Sequence, residues 1–279
     1  MKQPSLLSQI QVAEHSYQVD LAGGIDLSIP MSFSAADPNL YAIPAAIKST
    51  FREGGMIGDT REGGSCNVET ITITPHCHGT HTECAGHVTH DRISAHTHVP
   101  VGLLKGTLVT LTPETLLGAG ETSRPALLKT DFGITKRLLH RSLETVEPAW
   151  LEALIIRTLP NLPKKREGKY NTENVPFFSI EAISYLIQHG VRHLLVDLPS
   201  LDRLHDNGEM AAHRTWWNLE SRSHATPKQV DLKRTITELI FVPNDLLDGP
   251  GLVSIQIPSF ESDAAPSRPV FYPALNLAA

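Results

Sequence analysis

The chain has 279 residues, of which 41% are hydrophobic, and its formal net charge is −6. This length and apolar content allow a substantial core in one large domain or two smaller ones, while the acidic balance argues against a nucleic-acid-binding protein, which usually carries a basic face. No apolar run is long enough to span a bilayer, and residues 1–20 lack the apolar region and cleavage site of a signal peptide. We therefore predict no signal peptide, no membrane partner and no nucleic-acid partner.

The cysteine content also bears on the compartment. Cys66, Cys77 and Cys84 are the three cysteines of the chain, which is too few for a disulfide framework. Two of them lie within a histidine-rich stretch. This usage fits a reducing compartment, so we expect a cytoplasmic protein.

Short strand-like runs alternate with helix-like ones along the chain. Residues 68–74 alternate in side-chain type and are rich in β-branched residues, which is typical of a strand. Residues 151–158 are nearly all apolar, as expected of a strand buried on both faces. Further strands are predicted over residues 106–112, 191–197, 236–242 and 252–257, and a turn-rich segment over 243–251 separates the last two.

One helix is predicted over residues 179–189, where apolar residues recur at helical spacing. Ser179 is a suitable N-cap, and Gly190 is the expected C-terminal stop. Because strands outnumber helices and no βαβ repeat is evident, we predict one compact α/β domain over residues 1–279, with a mixed, β-rich sheet core flanked by helices. The Pro- and Gly-containing segment 161–176 is predicted to be an exposed loop or a lid.

The densest chemical signal is the run PHCHGTHTECAGHVTHDRISAHTH over residues 75–98. It holds seven of the 14 histidines, two of the three cysteines and Glu83. Imidazole, thiolate and carboxylate groups are the side chains that bind transition metals. The stretch therefore predicts a metal site, placed after the end of the strand predicted over residues 68–74.

Spacing within this run selects candidate ligands. His81 and Glu83 are two residues apart, so on an extended segment both side chains point the same way. His76 and His78 are close enough for at least one to join them at the same ion. A mixture of nitrogen and carboxylate ligands suits Zn²⁺, Mn²⁺ or Fe²⁺, and differs from the all-oxygen shells of Ca²⁺ and Mg²⁺. His87 is either a further ligand or a general acid or base beside the ion.

Two other interpretations of the run are open. A structural zinc site usually has paired cysteines, but Cys77 and Cys84 are too far apart for C-x₂₋₄-C spacing. The second interpretation is a surface histidine run with only adventitious metal affinity. Within the run, His90, His96 and His98 are expected to be surface groups or groups behind the ligands. Cys84 is expected to be a small buried side chain.

Gly79–Glu83 followed by His87 resembles the H-x-G-T-H-x-D-x-P-x-H signature of the metal-dependent cyclase family, which includes bacterial kynurenine formamidases and isatin hydrolases. The likeness continues in the same order along most of the chain, from about residue 26 to 271. The further segments that resemble the family are residues 25–30, 157–158 and 196–202, His213, and residues 237–239 and 262–268. Together these segments are far more specific than the G-T-H motif alone.

The resemblance implies a swivelling β/β/α-like fold and a hydrolase with one or two Zn²⁺ or Mn²⁺ ions per subunit. Carried over residue by residue, it makes His81 and Glu83 ligands, with Glu83 able to bridge two ions. His213 and Glu238 would bind the second ion, and His87 would take the place of the catalytic histidine. The resemblance also implies a homodimer or homotetramer.

The chain departs from the family signature at three positions. The first histidine of the signature falls on Cys77, so either Cys77 is a ligand or a one-residue bulge brings His76 into that place. We favour His76, with His78 as the next alternative. Glu83 stands where the signature has aspartate, and Ala85 stands where it has proline.

The activity that the resemblance implies is hydrolysis of an amide bond by a metal-activated water, with an aryl formamide such as N-formylkynurenine, an intermediate of tryptophan catabolism, as substrate. His87 would carry the proton to the leaving group. A cyclic amide or a lactone would use the same chemistry. A lyase or cyclase that consumes no water, and a metal-binding protein without activity, are the alternatives from other classes.

Residues outside the histidine run complete the prediction. Ser200 has no sequence context typical of a nucleophile, since the chain lacks a G-x-S-x-G motif. We interpret Ser200 and Asp202 as positioning groups near the site, with packing or turn formation as the alternative. Aromatic residues that could line a substrate pocket, or belong to the core, are Phe33, Tyr41, Trp216 and Trp217.

Overall fold

A computed structural model describes residues 4–170, 175–226 and 228–277. Within these ranges the helices are α1 (Lys136–Leu143), α2 (Ile180–Gln188) and α3 (Ala211–Trp216). The strands are β1 (Leu7–Val12), β2 (His15–Asp20), β3 (Ile25–Asp26), β4 (Asn39–Leu40), β5 (Ile47–Thr50), β6 (Arg52–Glu53), β7 (Met56–Ile57), β8 (Glu69–Thr72), β9 (His81–Glu83), β10 (Leu104–Leu111), β11 (Glu114–Thr115), β12 (Phe132–Ile134), β13 (Ala153–Thr158), β14 (Lys169–Tyr170), β15 (Phe177–Phe178), β16 (His193–Val196), β17 (Thr235–Glu238), β18 (Gly249–Gln256), β19 (Ala264–Pro266) and β20 (Arg268–Asn276).

An 11-stranded mixed sheet organises the molecule, in the order β1-β2-β20-β18-β10-β13-β16-β17-β9-β19, with β3 paired to β20. Its centre is parallel, because β10, β13, β16 and β17 run in the same direction. β18 pairs antiparallel to β10 on one side, and β9 pairs antiparallel to β17 on the other. The carboxyl end of β17 therefore lies beside the first residue of β9.

The central strands are buried on both faces, as the apolar run over 151–158 predicts. Leu154 and Ile156 of β13 pack with residues of α1, α2 and α3 in one core cluster. Ala153 and Ile155, which alternate with them, belong to a second cluster on the opposite face with Leu108 of β10. This alternation is the two-residue period of a strand with apolar layers on both sides.

The predicted fold class is confirmed: the molecule is a single compact α/β domain with a large mixed sheet and few helices. Strands occur in all the predicted segments, and α2 lies within the predicted helix. Ser179 caps this helix, because its hydroxyl accepts a hydrogen bond from the Ala182 amide at 2.9 Å. Gly190 follows with a φ of 80°, a left-handed conformation that glycine adopts without strain.

Some boundaries and placements differ from the prediction. β17 ends at Glu238, because Leu239 turns the chain out of the strand with a φ of 54°. β18 begins inside the segment predicted to be turn-rich, at Gly249. The strand predicted over 68–74 exists as β8, but it pairs with β5 in an exposed two-stranded ribbon outside the main sheet.

The segment 161–176 is only partly an open loop. It contains a 3₁₀ turn at Pro163–Glu167 and the strand β14, while residues 171–174 lie outside the described ranges. Lys165 anchors the turn, since its ammonium donates to Asp197 Oδ2 at 2.7 Å. Tyr170 is buried. Among the described residues, no helix is long and apolar enough to cross a bilayer.

The two-sided core gives a stability prediction. Leu154→Ala should lower the free energy of unfolding by about 2–5 kcal/mol, because it leaves a cavity beneath the helices at a fully buried site. Urea unfolding measures the loss. Leu247→Ala is the matched control, since that side chain is 83% exposed and its truncation should change stability by no more than about 0.5 kcal/mol. Equal effects of the two changes would contradict this account of the core.

Candidate metal centre and active site

β9 carries the first two candidate ligands into the interior. His81 and Glu83 alternate with Thr82, so their side chains point to the same face of the strand. Both are fully buried. The antiparallel register between β9 and β17 places Glu238 directly opposite His81, and His81 Nε2 lies 3.4 Å from Glu238 Oε2. Three of the predicted ligands thus come together through one strand pairing.

α3 brings His213 to the same cluster. Its Nε2 lies 3.0 Å from Glu83 Oε1 and 3.5 Å from Glu238 Oε1. Its other ring nitrogen, Nδ1, donates a hydrogen bond to Asp202 Oδ2 at 2.6 Å. Asp202 therefore positions His213, as the positioning role considered for it requires, and Leu201 donates its amide to Glu238 Oε1 at 3.0 Å.

Of the three alternatives for the remaining ligand, the structure brings His76 to the cluster. It sits in a 3₁₀ turn, Pro75–Cys77, and its Nδ1 lies 3.0 Å from Glu83 Oε2. His78 points elsewhere, because its Nδ1 accepts from the Thr74 amide and its Nε2 contacts the Pro44 carbonyl oxygen. Cys77 packs in an apolar cluster.

His87, predicted to be the proton carrier, lies on the partly exposed side of this cluster. It ends the 3₁₀ turn Ala85–His87, and its ring stacks on that of His76 with centroids 4.0 Å apart. Its Nε2 is 3.8 Å from Glu83 Oε2. A general acid or base beside Glu83 with access to solvent could occupy this place.

Asp263 is a site residue that the sequence reasoning did not single out. It appears there only within the segment 262–268, which resembles the family. In the structure its Oδ2 accepts a hydrogen bond from His76 Nε2 at 2.7 Å and lies 3.5 Å from His87 Nδ1. A single carboxylate far from the histidine run has no local sequence signal, so only the resemblance could have indicated it.

The donor set fits a divalent cation. Among the described residues, three groups could hold an ion: His76, His81 and Glu83; His76, His87 and Asp263; and Glu83, His87 and His213. Neither oxygen of Glu83 has a hydrogen bond of good geometry, and neither does His81 Nε2, although all three atoms are buried. Buried polar atoms without partners are costly. Imidazole nitrogens beside carboxylates suit Zn²⁺ or Mn²⁺.

The pKa values of His76, His213 and Glu83 are strongly shifted by their mutual contacts. Burial lowers the pKa of His76, but the neighbouring carboxylates of Asp263 and Glu83 outweigh it and raise this pKa to about 10. Burial likewise opposes protonation of His213, yet Glu83 and Asp202 hold its pKa well above the ordinary value. Burial raises the pKa of Glu83, but the charges of His87 and His213 hold it well below its usual range. The shifts therefore favour protonated His76 and His213 beside ionised Glu83 when no ion is bound.

The remaining histidines of the run lie apart from the groups that could hold an ion in the described part of the chain. His90 and His224 form a ring contact with centroids 5.3 Å apart. His96 Nδ1 contacts the Ser94 hydroxyl at 2.7 Å. Cys84 is fully buried, as expected, and its thiol donates to the Ile93 carbonyl oxygen at 3.4 Å.

The aromatic residues considered for a substrate pocket divide into two kinds. Trp216 and Trp217 are fully buried members of the core cluster beneath the sheet, so the structure places them in the core. Tyr41 is 48% exposed, and its ring makes an edge contact with His205. Phe33 is partly exposed and lies under the Lys48 ammonium, 5.7 Å from the ring centroid.

These pKa shifts predict how the metal-free protein responds to pH. Because the pKa of His76 is about 10 in the folded chain and 6.5 in the reference state, its protonation stabilises the fold fully below pH 6.5. This stabilisation is lost as pH rises through 10, and it amounts to at most about 5 kcal/mol, at about 1.4 kcal/mol per pKa unit. Urea unfolding with a chelator between pH 6 and 10 measures it.

Two controls separate this effect from general alkaline unfolding. His76→Gln should remove the His76 part of the pH dependence and leave the part due to His213, whereas His90→Gln should leave both intact. Saturating Zn²⁺ should flatten the pH dependence, because a metal-bound imidazole is neutral. An unchanged slope in His76→Gln would show that His76 is not the group responsible.

Comparison with known proteins identifies the family. The Cyclase family model, described as "Putative cyclase", matches residues 25–203. No curated protein sequence matches the chain.

Several solved structures share the fold, and three of them illustrate the similarity. One is a predicted metal-dependent hydrolase from Bacillus stearothermophilus, at 16% identity and a TM-score of 0.57, covering 89% of this chain and 97% of that one. An isatin hydrolase bound to the product analogue thioisatinate has 14% identity and a TM-score of 0.57, covering 91% and 93%. Isatin hydrolase A from Labrenzia aggregata, bound to benzyl benzoate, has 15% identity and a TM-score of 0.58, covering 89% and 93%. The match of the family model confirms the resemblance noted in the sequence motifs. Because this model spans more than half of the chain, the chain belongs to the Cyclase family.

Proposed function

We propose that the protein is a metal-dependent hydrolase that cleaves a carbon–nitrogen bond other than a peptide bond, with an aryl formamide such as N-formylkynurenine as substrate. The observation that carries the proposal is the state of Glu83. Its carboxylate is fully buried among His76, His81 and His213, and neither oxygen has a hydrogen bond of good geometry, although ring nitrogens of His76 and His213 lie 3.0 Å away. A carboxylate is stable in such a place when a cation completes its surroundings.

The ligands would divide between two ions or converge on one. His76, His81 and Glu83 form one group within mutual reach, while His213 and Glu238 would complete a second around Glu83. Zn²⁺ or Mn²⁺ is the expected ion. When bound, such an ion would lower the pKa of a coordinated water and polarise the substrate carbonyl.

The chain's own residues would handle the proton. Amide cleavage requires protonation of the leaving nitrogen, because an amine anion is a very poor leaving group. His87 lies within 4 Å of Glu83 and is one quarter exposed, so it can reach both the buried ligands and a substrate entering from solvent. We assign it the role of general acid and base.

A second candidate is hydrolysis of a cyclic amide. It is favoured by the two isatin hydrolases among the structures with this fold. The bond that would be cleaved is again a carbon–nitrogen bond of an amide, and a lactone would use the same groups. A lyase or cyclase that consumes no water remains the alternative outside hydrolysis.

We further propose that the protein works in the cytoplasm as a homodimer or homotetramer on a small amide or lactone, without a nucleic-acid or membrane partner. Its three cysteines are free in the structure, which supports a reducing compartment. Light scattering of the purified protein would measure the oligomeric state, and a monomer would contradict the proposed assembly.

Activity should depend on metal and on His87. Dialysis against a chelator should abolish turnover of N-formylkynurenine, isatin or a lactone, and Zn²⁺ or Mn²⁺ should restore it. His87→Ala should lower kcat by about 10²–10⁴-fold with its metal content unchanged, because it removes only the proton carrier. Elemental analysis measures the metal, and His90→Ala is the control on the same stretch. Full activity in His87→Ala would exclude the assigned role.

Hydrolysis and a lyase or cyclase reaction differ in the fate of solvent oxygen. In water enriched in ¹⁸O, mass spectrometry should find one labelled oxygen in the carboxylate product. Turnover without label would exclude a hydrolase. A protein that binds metal tightly but acts on none of these substrates would instead support a non-catalytic metal-binding role.

A further inference from the structure

We propose that Asp263 positions two histidines of the site at once: it holds His76 with Nδ1 directed toward Glu83, and His87 with Nε2 directed there. The claim about His87 rests on the proposed function, because it concerns catalysis. The claim about His76 concerns metal binding and can be tested without any substrate.

Two stacked imidazole rings, those of His76 and His87, each lie between the carboxylates of Asp263 and Glu83. His76 and His87 stack with their ring planes 26° apart. At one end of the stack both rings face the same oxygen, Asp263 Oδ2, at 2.7 and 3.5 Å. At the other end both face Glu83 Oε2, at 3.0 and 3.8 Å. Each imidazole therefore spans from one carboxylate to the other.

An ionised carboxylate only accepts hydrogen bonds. Of the two carboxylate contacts of His76, the one to Asp263 has hydrogen-bond geometry and the one to Glu83 does not, so Nε2 carries the proton when this imidazole is neutral. The opposite nitrogen then presents its lone pair toward Glu83. For His76 this makes Nδ1 the ligating atom. His87 Nδ1 lies nearer to Asp263 than its Nε2 lies to Glu83, at 3.5 against 3.8 Å, and a proton held on the Asp263 side leaves Nε2 as the atom that can accept one. Such outer carboxylates fix the tautomer and orientation of metal-binding histidines.

The other candidate ligands have the reverse arrangement. His213 donates from Nδ1 to Asp202, and His81 donates from Nδ1 to the Gly79 carbonyl oxygen at 3.0 Å. Both rings consequently present Nε2 to the cluster. His76 differs because its outer acceptor lies at the far end of the ring, so Asp263 decides which nitrogen of His76 is available.

The fold holds Asp263 in place through its backbone. β19 begins at the next residue and pairs with β9, and the Cys84 amide donates to the Asp263 carbonyl oxygen at 3.0 Å. Ser262 Oγ lies 3.3 Å from Asp263 Oδ1, which leaves Oδ2 for the histidines. Gly86 provides the room, because a side chain there would collide with the Ile93 backbone and approach Asp263 Cβ to 3.0 Å.

Asp263→Asn tests the ligand part of the proposal through the affinity for Zn²⁺, measured by competition with a chelator. We expect affinity to fall by about 10–100-fold, the usual cost of losing an outer carboxylate, and Asp263→Glu to restore part of it. Glu261→Gln is the matched control, since this exposed carboxylate lies two residues away on the same loop. Thermal unfolding of the metal-free variants checks folding. Unchanged affinity in folded Asp263→Asn would overturn the proposal.

Long-range ¹H–¹⁵N spectra of the Zn²⁺-loaded protein test the tautomer directly. We expect His76 to be protonated on Nε2 and bound through Nδ1, and His81 and His213 to be bound through Nε2. A His76 bound through Nε2 would overturn the proposal, whatever the activity of the protein.

A double-mutant cycle tests the part that concerns His87. If Asp263 acts on the reaction through His87, Asp263→Asn should lower kcat at saturating Zn²⁺ by at least about tenfold in the parent and by much less in His87→Ala. Equal losses in both backgrounds would overturn this part. If no substrate is turned over, the proposed function fails, while Zn²⁺ affinity and the spectra still decide the role of Asp263 toward His76.

Discussion

The constraint on which the site depends is the burial of Glu83 and Glu238 beside each other at the end of the sheet. Removing a carboxylate from water costs several kcal/mol unless positive charge or hydrogen bonds replace the solvent. The pairing of β9 with β17 fixes both carboxylates, so the compensation has to come from the groups around them. His76 and His213 provide it by protonation in the metal-free protein, and a divalent ion bound by neutral imidazoles would provide the same charge.

The sequence predicts best those elements whose signal is local and long. β13 and α2 were predicted because a buried strand and a capped amphipathic helix each impose a pattern on many consecutive residues. β9 has three residues, too few for any period, and its identity depends on pairing with β17 and β19. β20 contains Pro269 and Pro273, which argue against a strand when read alone, yet it pairs along β18.

The site divides in the same way. The types of ligand could be predicted from residues 75–98, because only metal binding readily explains so many histidines beside Glu83. The choice among His76, Cys77 and His78 is harder: the sequence favours His76 only by assuming a one-residue bulge, and the placement depends on a 3₁₀ turn that directs these neighbours differently. Asp263 could not be predicted from the residues around it, because strand pairing, and not sequence proximity, brings it to the histidines.

The departures from the family signature become consistent once the turn is known. Glu83 is one methylene longer than the aspartate of the signature, so its carboxylate reaches further from β9. His76, one residue before the position of the signature histidine, offers Nδ1, which is the ring nitrogen nearer to the backbone. A longer reach on one side and a shorter reach on the other place His76 Nδ1 and Glu83 Oε2 3.0 Å apart, a separation at which both can bind the same ion. Asp263 supports this exchange, because it gives Nε2 of His76 an acceptor while Nδ1 faces Glu83 and the ring stacks on His87.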